Sequence, residues 1–356
     1  MRDQKIRMAI AGATGAVGLE LLRLLEERQL DMELVGLAAS ARSAGRSVRF
    51  RDQMLKVSDL EDFDFSGVDI AFFSAGASVS RVHARRAAAQ GALVIDNTSA
   101  FRMERDTPLV VPQVNVHALA QRPISNIIAN PNCSTIPIVR LLDPVHRFSP
   151  VKSVIASTYQ AASGAGLTGI EELDASTREV LDDGGAAPQF KRFIAPLGFN
   201  VIPSIDALLA DGFTLEEQKM LQESRKIMSA PTLHITATCV RVPVRNCHSA
   251  AVYVQCERGI TRADLLKIWR NSPEVRVYEG ATADDFPSPR MVGSSDLVHV
   301  GRVRQDPENN KAFWFWVVSD NVRIGAALNA VQIAEALLNM RPFDLRNQEI
   351  AVAAGM

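Results

Sequence analysis

The stretch Ile127-Ile128-Ala129-Asn130-Pro131-Asn132-Cys133-Ser134-Thr135 joins an apolar strand pattern to a sharp Asn-Pro break and then sets a cysteine at the start of an apolar-periodic helix. A helix N-terminus offers unpaired N–H groups and the positive end of the dipole, which favour thiolate over thiol. That matters because an ordinary cysteine, with a pKa of about 8.5, is only about 3% ionised at pH 7. Cys133 is therefore a candidate nucleophile. A buried structural cysteine is the other reading of this stretch taken alone, since free Cys is among the most buried residue types. A proton-transfer partner stands further along, in Thr238-Cys239-Val240-Arg241-Val242-Pro243-Val244-Arg245-Asn246-Cys247-His248-Ser249: a strand, a break, and a histidine opening the next strand. With an ordinary pKa of about 6.5, His248 can accept and return a proton at working pH. Arg241 could bind a carboxylate. A lone histidine at a strand edge is more often structural, and His83, His117, His146, His234 and His299 take that reading.

The elements that must position these groups begin at Ile6 to Ala11, a buried strand running into Gly12-Ala13-Thr14-Gly15-Ala16-Val17-Gly18 and then a helix with Leu21, Leu22, Leu24 and Leu25 inward. Strand, glycine turn and helix let a backbone approach a pyrophosphate, with N–H donors beyond it. The spacing is GxxGxxG rather than GxGxxG, and a tight turn without a ligand is the plain alternative. A strand at about Glu33 to Ala38 ends where an NAD site would carry an acid. Here Ser40-Ala41-Arg42-Ser43 follows instead, a cation with hydroxyls that suits a 2′-phosphate, so NADP is expected over NAD. Val68 to Ser74 and Leu93 to Asp96 read as parallel strands joined by a helix near Ser78 to Gln90. Alternating strands and helices imply a doubly wound sheet, with ligands beyond its carboxyl ends at Gly12, Ser74-Ala75-Gly76, Asn97-Thr98-Ser99 and Asn130. Arg102 follows the third cluster and could pair with a phosphate.

From Val151 the runs lengthen and alternate: Ser153 to Gln160, His234 to Val244, Ser249 to Glu257 and Phe313 to Val318. This predicts a second, α+β domain on a mixed or antiparallel sheet. Ser157-Thr158-Tyr159-Gln160-Ala161-Ala162-Ser163-Gly164-Ala165-Gly166 ends a strand in a glycine turn, which implies close approach to a ligand or another backbone. Thr214-Leu215-Glu216-Glu217 opens a helix with a capping-box pattern and continues through Lys219, Glu223 and Lys226. Its charges read, by themselves, as a solvated face. Asp320 through Leu338 reads as one Ala/Leu-rich helix, and Asp182 to Pro188 as a mobile loop.

With 47% hydrophobic and 22% charged residues in 356, the chain is globular and long enough for two domains. A net charge of −1 without charge blocks gives no sign of a nucleic-acid or membrane-surface protein, although a small anionic substrate needs only a few local cations. No window is apolar enough to span a bilayer and no signal h-region opens the chain, so cytoplasmic residence is expected. Cys133, Cys239, Cys247 and Cys256 have neither zinc nor disulfide spacing and read as thiols; no metal is expected.

In order and in register, the Gly12 to Gly18 loop, Asn97 to Arg102, Asn130 to Thr135, Ser157 to Gln160, the Glu216 to Lys226 helix, Arg241 to His248 and Val317 to Asn321 resemble the aspartate-semialdehyde dehydrogenase family over nearly the whole chain. The resemblance implies a Rossmann-type NADP-binding domain, here 1–132 with 323–356, and a catalytic and dimerisation domain on a mixed sheet, 133–322. It implies a cytoplasmic homodimer or homotetramer that makes L-aspartate 4-semialdehyde and inorganic phosphate from L-4-aspartyl phosphate, in lysine/diaminopimelate, threonine and methionine biosynthesis. By matching motif, Cys133 is the acyl-thioester nucleophile, His248 the acid/base and Gln160 a substrate-positioning residue. Arg241 and Glu216 meet the substrate carboxylate and ammonium; Arg102, Asn132 and Lys219 meet the phosphate. Gly12, Thr14, Gly15, Ala16, Val17, Ser40, Arg42, Ser43, Ser163, Gly164 and Asn321 fall to the cofactor. Cys247 departs from the pattern, since many members carry glycine or another small residue there; a second thiol beside His248 suggests pKa tuning or sensitivity to oxidation. The competing readings are an N-acetyl-glutamyl-phosphate type reductase of the same superfamily and a non-catalytic binding paralogue.

Overall fold

The computed structural model describes residues 5–182 and 190–345. The loop expected over 182–188 lies outside them from residue 183 onward. The chain divides into two compact units, Met1–Pro131 with Ala326–Met356, and Asn132–Gly325.

The first unit runs β1 (Ile6–Ala11), α1 (Ala16–Glu27), β2 (Met32–Ala39), β3 (Ser47–Phe50), β4 (Gln53–Asp59), β5 (Ile70–Phe73), α2 (Ala77–Ala89), β6 (Leu93–Asp96), α3 (Pro112–Asn115) and β7 (Ile127–Ala129). Its sheet has the order β3-β4-β2-β1-β5-β6-β7, parallel throughout except for the β3–β4 pair. The strand order reverses direction between β1 and β5, and a doubly wound sheet binds its ligands at the carboxyl ends beside that switch. Strands β5 and β6 are buried at every position, as parallel strands covered on both faces must be. The β3–β4 hairpin escapes a sequence reading: Ser47–Phe50 is short and charged, and its turn carries Arg51 in the left-handed region.

The second unit contains α4 (Thr135–Phe148), β8 (Val151–Gln160), α5 (Leu167–Asp182), α6 (Leu215–Ile227), β9 (His234–Arg241), β10 (His248–Cys256), α7 (Arg262–Arg270), β11 (Val275–Val277), α8 (Pro289–Val292), β12 (Val298–Gln305) and β13 (Ala312–Ser319). The sheet is mixed, in the order β11-β12-β13-β10-β8-β9. Strand β9 stops at Arg241, short of the expected Val244, because Pro243 brings no N–H to a ladder. One face packs on Trp269, whose indole N–H donates to Leu141 O at 2.9 Å and whose ring lies 5.3 Å from Phe315. The other face keeps Ile155 and Tyr159 exposed, with Tyr253, Trp314 and Trp316 half-buried beside them.

The helix expected from Asp320 is not continuous. The Asp320 carboxylate accepts from the N–H groups of Val322 and Arg323, a π-helical turn spans Arg323–Ala327, and α9 (Leu328–Met340) starts only afterwards, in the first unit. Among the described residues no helix is long and apolar enough to cross a membrane.

Candidate active site

In the first unit the glycine loop is built by close backbone approach. Gly12 has φ +89°, and a Cβ on it would lie 2.5 Å from Ser74 O; a Cβ on Gly18 would lie 2.2 Å from Gly12 O. Gly15 caps α1 without a side-chain hydrogen bond, and the first turn, with Ala16 and Val17, holds no acid to compete for the free N–H groups. That is the donor set a pyrophosphate needs. Thr14 Oγ1 donates to Ser43 Oγ at 3.1 Å, so the glycine loop and the Ser40-Ala41-Arg42-Ser43 turn are adjacent, with Ser40 and Arg42 exposed. The residues present fit a dinucleotide. Arg102, also in this unit, is buried, donating to Asn130 O at 2.9 Å and Asn97 O at 3.0 Å beyond β7 and β6.

In the second unit the sheet does the gathering. Gln160 and Arg241 are register partners at the carboxyl ends of parallel β8 and β9, and His248, opening antiparallel β10, pairs with Ser319 at the end of β13. Groups as far apart as Gln160 and Ser319 thus arrive at one end of one sheet, which no spacing rule in the sequence reports.

A single residue ties two of them. The Ala161 N–H donates to His248 Nδ1 at 3.0 Å, and Ala161 O accepts from Arg241 Nη1 at 2.6 Å. Because a backbone N–H can only donate, Nδ1 is an acceptor and the neutral ring carries its proton on Nε2. Nε2 is buried and has no hydrogen-bond partner among the described residues. Burial, then the Arg241 guanidinium, push the imidazole well below its usual pKa, so it is held neutral. Gly164 leaves room for this pair: a Cβ there would lie 2.8 Å from Arg241 Nη1 and 3.2 Å from His248 Nε2. Arg241 also lies over the Phe193 ring, 5.7 Å from its centroid.

Cys133 sits in the turn before α4, whose cap is Ser134, and is the one partly exposed cysteine of four. Its Cβ meets Gly325 so closely that a side chain at 325 would lie 2.6 Å from it. Cys133 is near enough to Arg241 for its charge to favour the guanidinium. Asn132, just before it, donates from Nδ2 to Glu216 Oε1 at 2.9 Å, and Gln160 Nε2 donates to the same oxygen at 3.2 Å. Lys219 Nζ pairs with Glu216 at 3.2 Å and Asp206 at 2.6 Å; burial alone would depress its pKa, but these carboxylates more than offset it and hold the ammonium above its usual range. The solvated face expected for α6 is therefore wrong. The capping box of Thr214 and Glu217 is present, but Glu216, Glu217 and Glu223 are all buried, each accepting a bond from a neighbouring element.

Ser163 Oγ lies 3.0 Å from both Asn246 Oδ1 and Asn321 Oδ1, and Asn321 Oδ1 also accepts from the Cys247 N–H. Cys247 has φ +72°, a left-handed conformation in which glycine would be unstrained. It is fully buried against Val292 and Val318, and burial followed by the Asp320 charge pushes its thiol up to about 12. That argues against the redox role suggested by its position, since the thiolate is the reactive form. Phe193, Ala161, Asn246 and Glu223 are the residues the sequence reading leaves out of the site.

A glycine loop of N–H donors suited to a dinucleotide in one unit, and a thiol, a neutral imidazole and a buried guanidinium in the other, are the equipment of an aldehyde oxidoreductase. The family models agree: residues 7–122 match the semialdehyde dehydrogenase NAD binding domain, and residues 142–324 match the semialdehyde dehydrogenase dimerisation domain. The chain belongs to the aspartate-semialdehyde dehydrogenase family: it is 44% identical over 339 residues to the aspartate-semialdehyde dehydrogenase of Bacillus subtilis, covering 93% of this chain and 97% of the other. It is also similar to a crystal structure of aspartate semialdehyde dehydrogenase II from Vibrio cholerae complexed with ASA, at 43% identity and a TM-score of 0.91, covering 95% and 99% of the two chains. A Candida albicans aspartate semialdehyde dehydrogenase crystallised with NADP, 24% identical with a TM-score of 0.75 over 96% and 100% of the chains, shares the fold.

Proposed function

We propose that this chain reduces L-4-aspartyl phosphate to L-aspartate 4-semialdehyde, reversibly, with release of inorganic phosphate, in the biosynthesis of lysine, threonine and methionine. The observation that carries the mechanism is the tautomer of His248, a buried, neutral ring with an unpartnered Nε2–H and Arg241 fixed beside it through Ala161.

The Cys133 thiolate attacks the acyl carbon, a C–S bond forms, and the C–O bond to phosphate breaks with the electron pair leaving on phosphate. Covalent catalysis divides one hard displacement into two easier steps. NADPH, when bound, supplies the hydride that reduces the thioester. His248 Nε2–H donates to the oxygen on which negative charge develops; when the C–S bond breaks, the carbonyl re-forms and Cys133 leaves as thiolate. Arg241 takes the substrate carboxylate by a bidentate pair, and Glu216, with one of its oxygens shared by Asn132 and Gln160 and the other by Lys219, retains an acceptor site for the ammonium. Gln160 orients the acyl group. Asn132 and Lys219 are assigned to the leaving phosphate. Gly12, Thr14, Gly15, Ala16, Val17, Ser40, Arg42 and Ser43 are assigned to NADP.

The dimerisation domain implies self-association, and we assign a homodimer or homotetramer using the half-exposed aromatic face of the sheet, Tyr159, Tyr253, Trp314 and Trp316. Four thiols outside any disulfide suit a reducing cytoplasm. The N-acetyl-glutamyl-phosphate and non-catalytic readings are not favoured: relatives over nearly the full length are aspartate-semialdehyde dehydrogenases, and both thiol and imidazole are in place.

The test is phosphate-dependent NADP reduction with aspartate 4-semialdehyde and N-acetylglutamate 5-semialdehyde side by side, on the parent and on Cys133→Ala. The variant is expected to bind NADPH normally and lose turnover by roughly 10⁴-fold or more. Activity within tenfold of the parent would remove Cys133 as nucleophile, and preference for the longer aldehyde would overturn the substrate assignment.

A further inference from the structure

We infer that Glu223 is a positioning residue for Cys133, one of two carboxylates by which α6 grips the residue that precedes the nucleophile. The inference rests on Cys133 being that nucleophile.

Glu216 and Glu223 are seven residues apart and hence on one face of α6, two turns apart along its axis. Both carboxylates are buried, Glu223 at 1% exposure. Both reach Asn132: Glu216 Oε1 accepts from the side-chain Nδ2, while Glu223 Oε2 accepts from the backbone N–H at 2.6 Å. The remaining polar groups of Asn132 point the other way along the chain. Its Oδ1 accepts from Ser134 N at 2.8 Å, and its carbonyl accepts from Thr135 N at 3.0 Å and Ile136 N at 3.1 Å. Asn132 is thus bonded through its amide, carbonyl and side chain, and Cys133 is suspended between two residues that cannot move independently. Gly325 closes the remaining direction against the Cys133 Cβ.

Two features make Glu223 more than packing. A carboxylate accepting an amide N–H at 2.6 Å is a charge-assisted bond, roughly twice the strength of a neutral one. The group it holds is also one peptide from the sulfur, where an error of about 1 Å can cost on the order of 10²-fold in rate. Glu216 faces the substrate as well as Asn132, but no substrate role is assigned to Glu223, so its removal should act through the position of the thiol. The helix is firmly held for this duty, by its capping box and by Glu217 accepting from Cys239 N at 2.9 Å.

The test uses the full-length protein with NADPH and compares Glu223→Gln, which keeps an acceptor at the same reach, with Glu223→Leu, which keeps none. Readouts are kcat, the substrate KM, the NADPH Kd, and the rate of Cys133 alkylation by iodoacetamide against pH; the other three cysteines are buried and stay silent. Glu223→Leu should lower kcat by about 10- to 100-fold with KM within about threefold of the parent, unchanged NADPH Kd and an altered alkylation profile, and Glu223→Gln should recover most of the loss. Should Glu223→Leu fail to fold, Glu223→Asp decides: a carboxylate one methylene shorter should fold, lower kcat and alter alkylation. Parent-like kcat and alkylation in the folded Leu or Asp variant, or a change confined to KM, would overturn the inference. Alkylation reads thiol placement without turnover, so loss of the proposed activity in the parent would show separately.

Discussion

The two units make their sites from different material. In the first, the candidate site is framed chiefly by backbone: a glycine turn at φ +89° and uncapped helix N–H groups, with a local hydroxyl pair beside them. In the second, they are side chains delivered by β8, β9, β10, α6 and the turn before α4. Backbone sites are written in short contiguous sequence, because only glycine permits the approach. Side-chain sites depend on strand order, which contiguous sequence does not carry.

Four substitutions or conditions would break or sharpen that contrast. Gly18→Ala should have the largest effect, since its Cβ would lie 2.2 Å from a backbone oxygen that cannot yield. NADPH binding should be lost and stability should fall by about 2–3 kcal/mol, while Cys133 alkylation persists. Parent-like NADPH titration would end the claim that backbone approach builds this site. Next, Arg241→Lys should raise KM for the semialdehyde by roughly 10- to 100-fold with a smaller change in kcat, because a point charge cannot replace a fork. An unchanged KM would remove Arg241 from substrate binding.

Acid should act on the second unit through its buried imidazoles. His248 is held well below its ordinary pKa by burial and Arg241, and His299, between Tyr278 and Ser295, is lowered to about 4 by burial and Arg276. With folded values below the unfolded one, the unfolded chain binds more protons across that interval. Their contribution to stability is thus complete above about pH 6.5 and lost as pH falls toward 4. His299→Gln should flatten this part of a denaturant-midpoint profile; an unaltered slope would contradict a neutral His299. The smallest effect belongs to Cys247→Gly, where relief of left-handed strain and loss of a buried side chain oppose each other. The net change should stay within about 1 kcal/mol, with peroxide sensitivity unaltered. Greater resistance to peroxide would restore the redox role.

Much of this was legible in sequence, for identifiable reasons. The Rossmann strands and the capping box of α6 follow from periodicity and local bonding. The burial of Glu216 and Glu223 was hidden, because charges at helical spacing look alike whether they face water or the turn carrying Asn132 and Cys133. Ala161 was hidden for a different reason. Its contribution is an amide and a carbonyl, which every residue possesses, so nothing in its identity marks it.

That residue has a consequence for which molecules the enzyme accepts. Since one residue, Ala161, holds the imidazole through its N–H and the guanidinium through its carbonyl, the span between His248 and Arg241 is set by the backbone geometry of that residue, like the marks on a ruler. A homologue longer by one methylene would present its carbonyl about 1 Å beyond the Nε2–H. Its kcat/KM should drop on the order of 10²-fold even where it docks well, so length, more than charge, is the property measured.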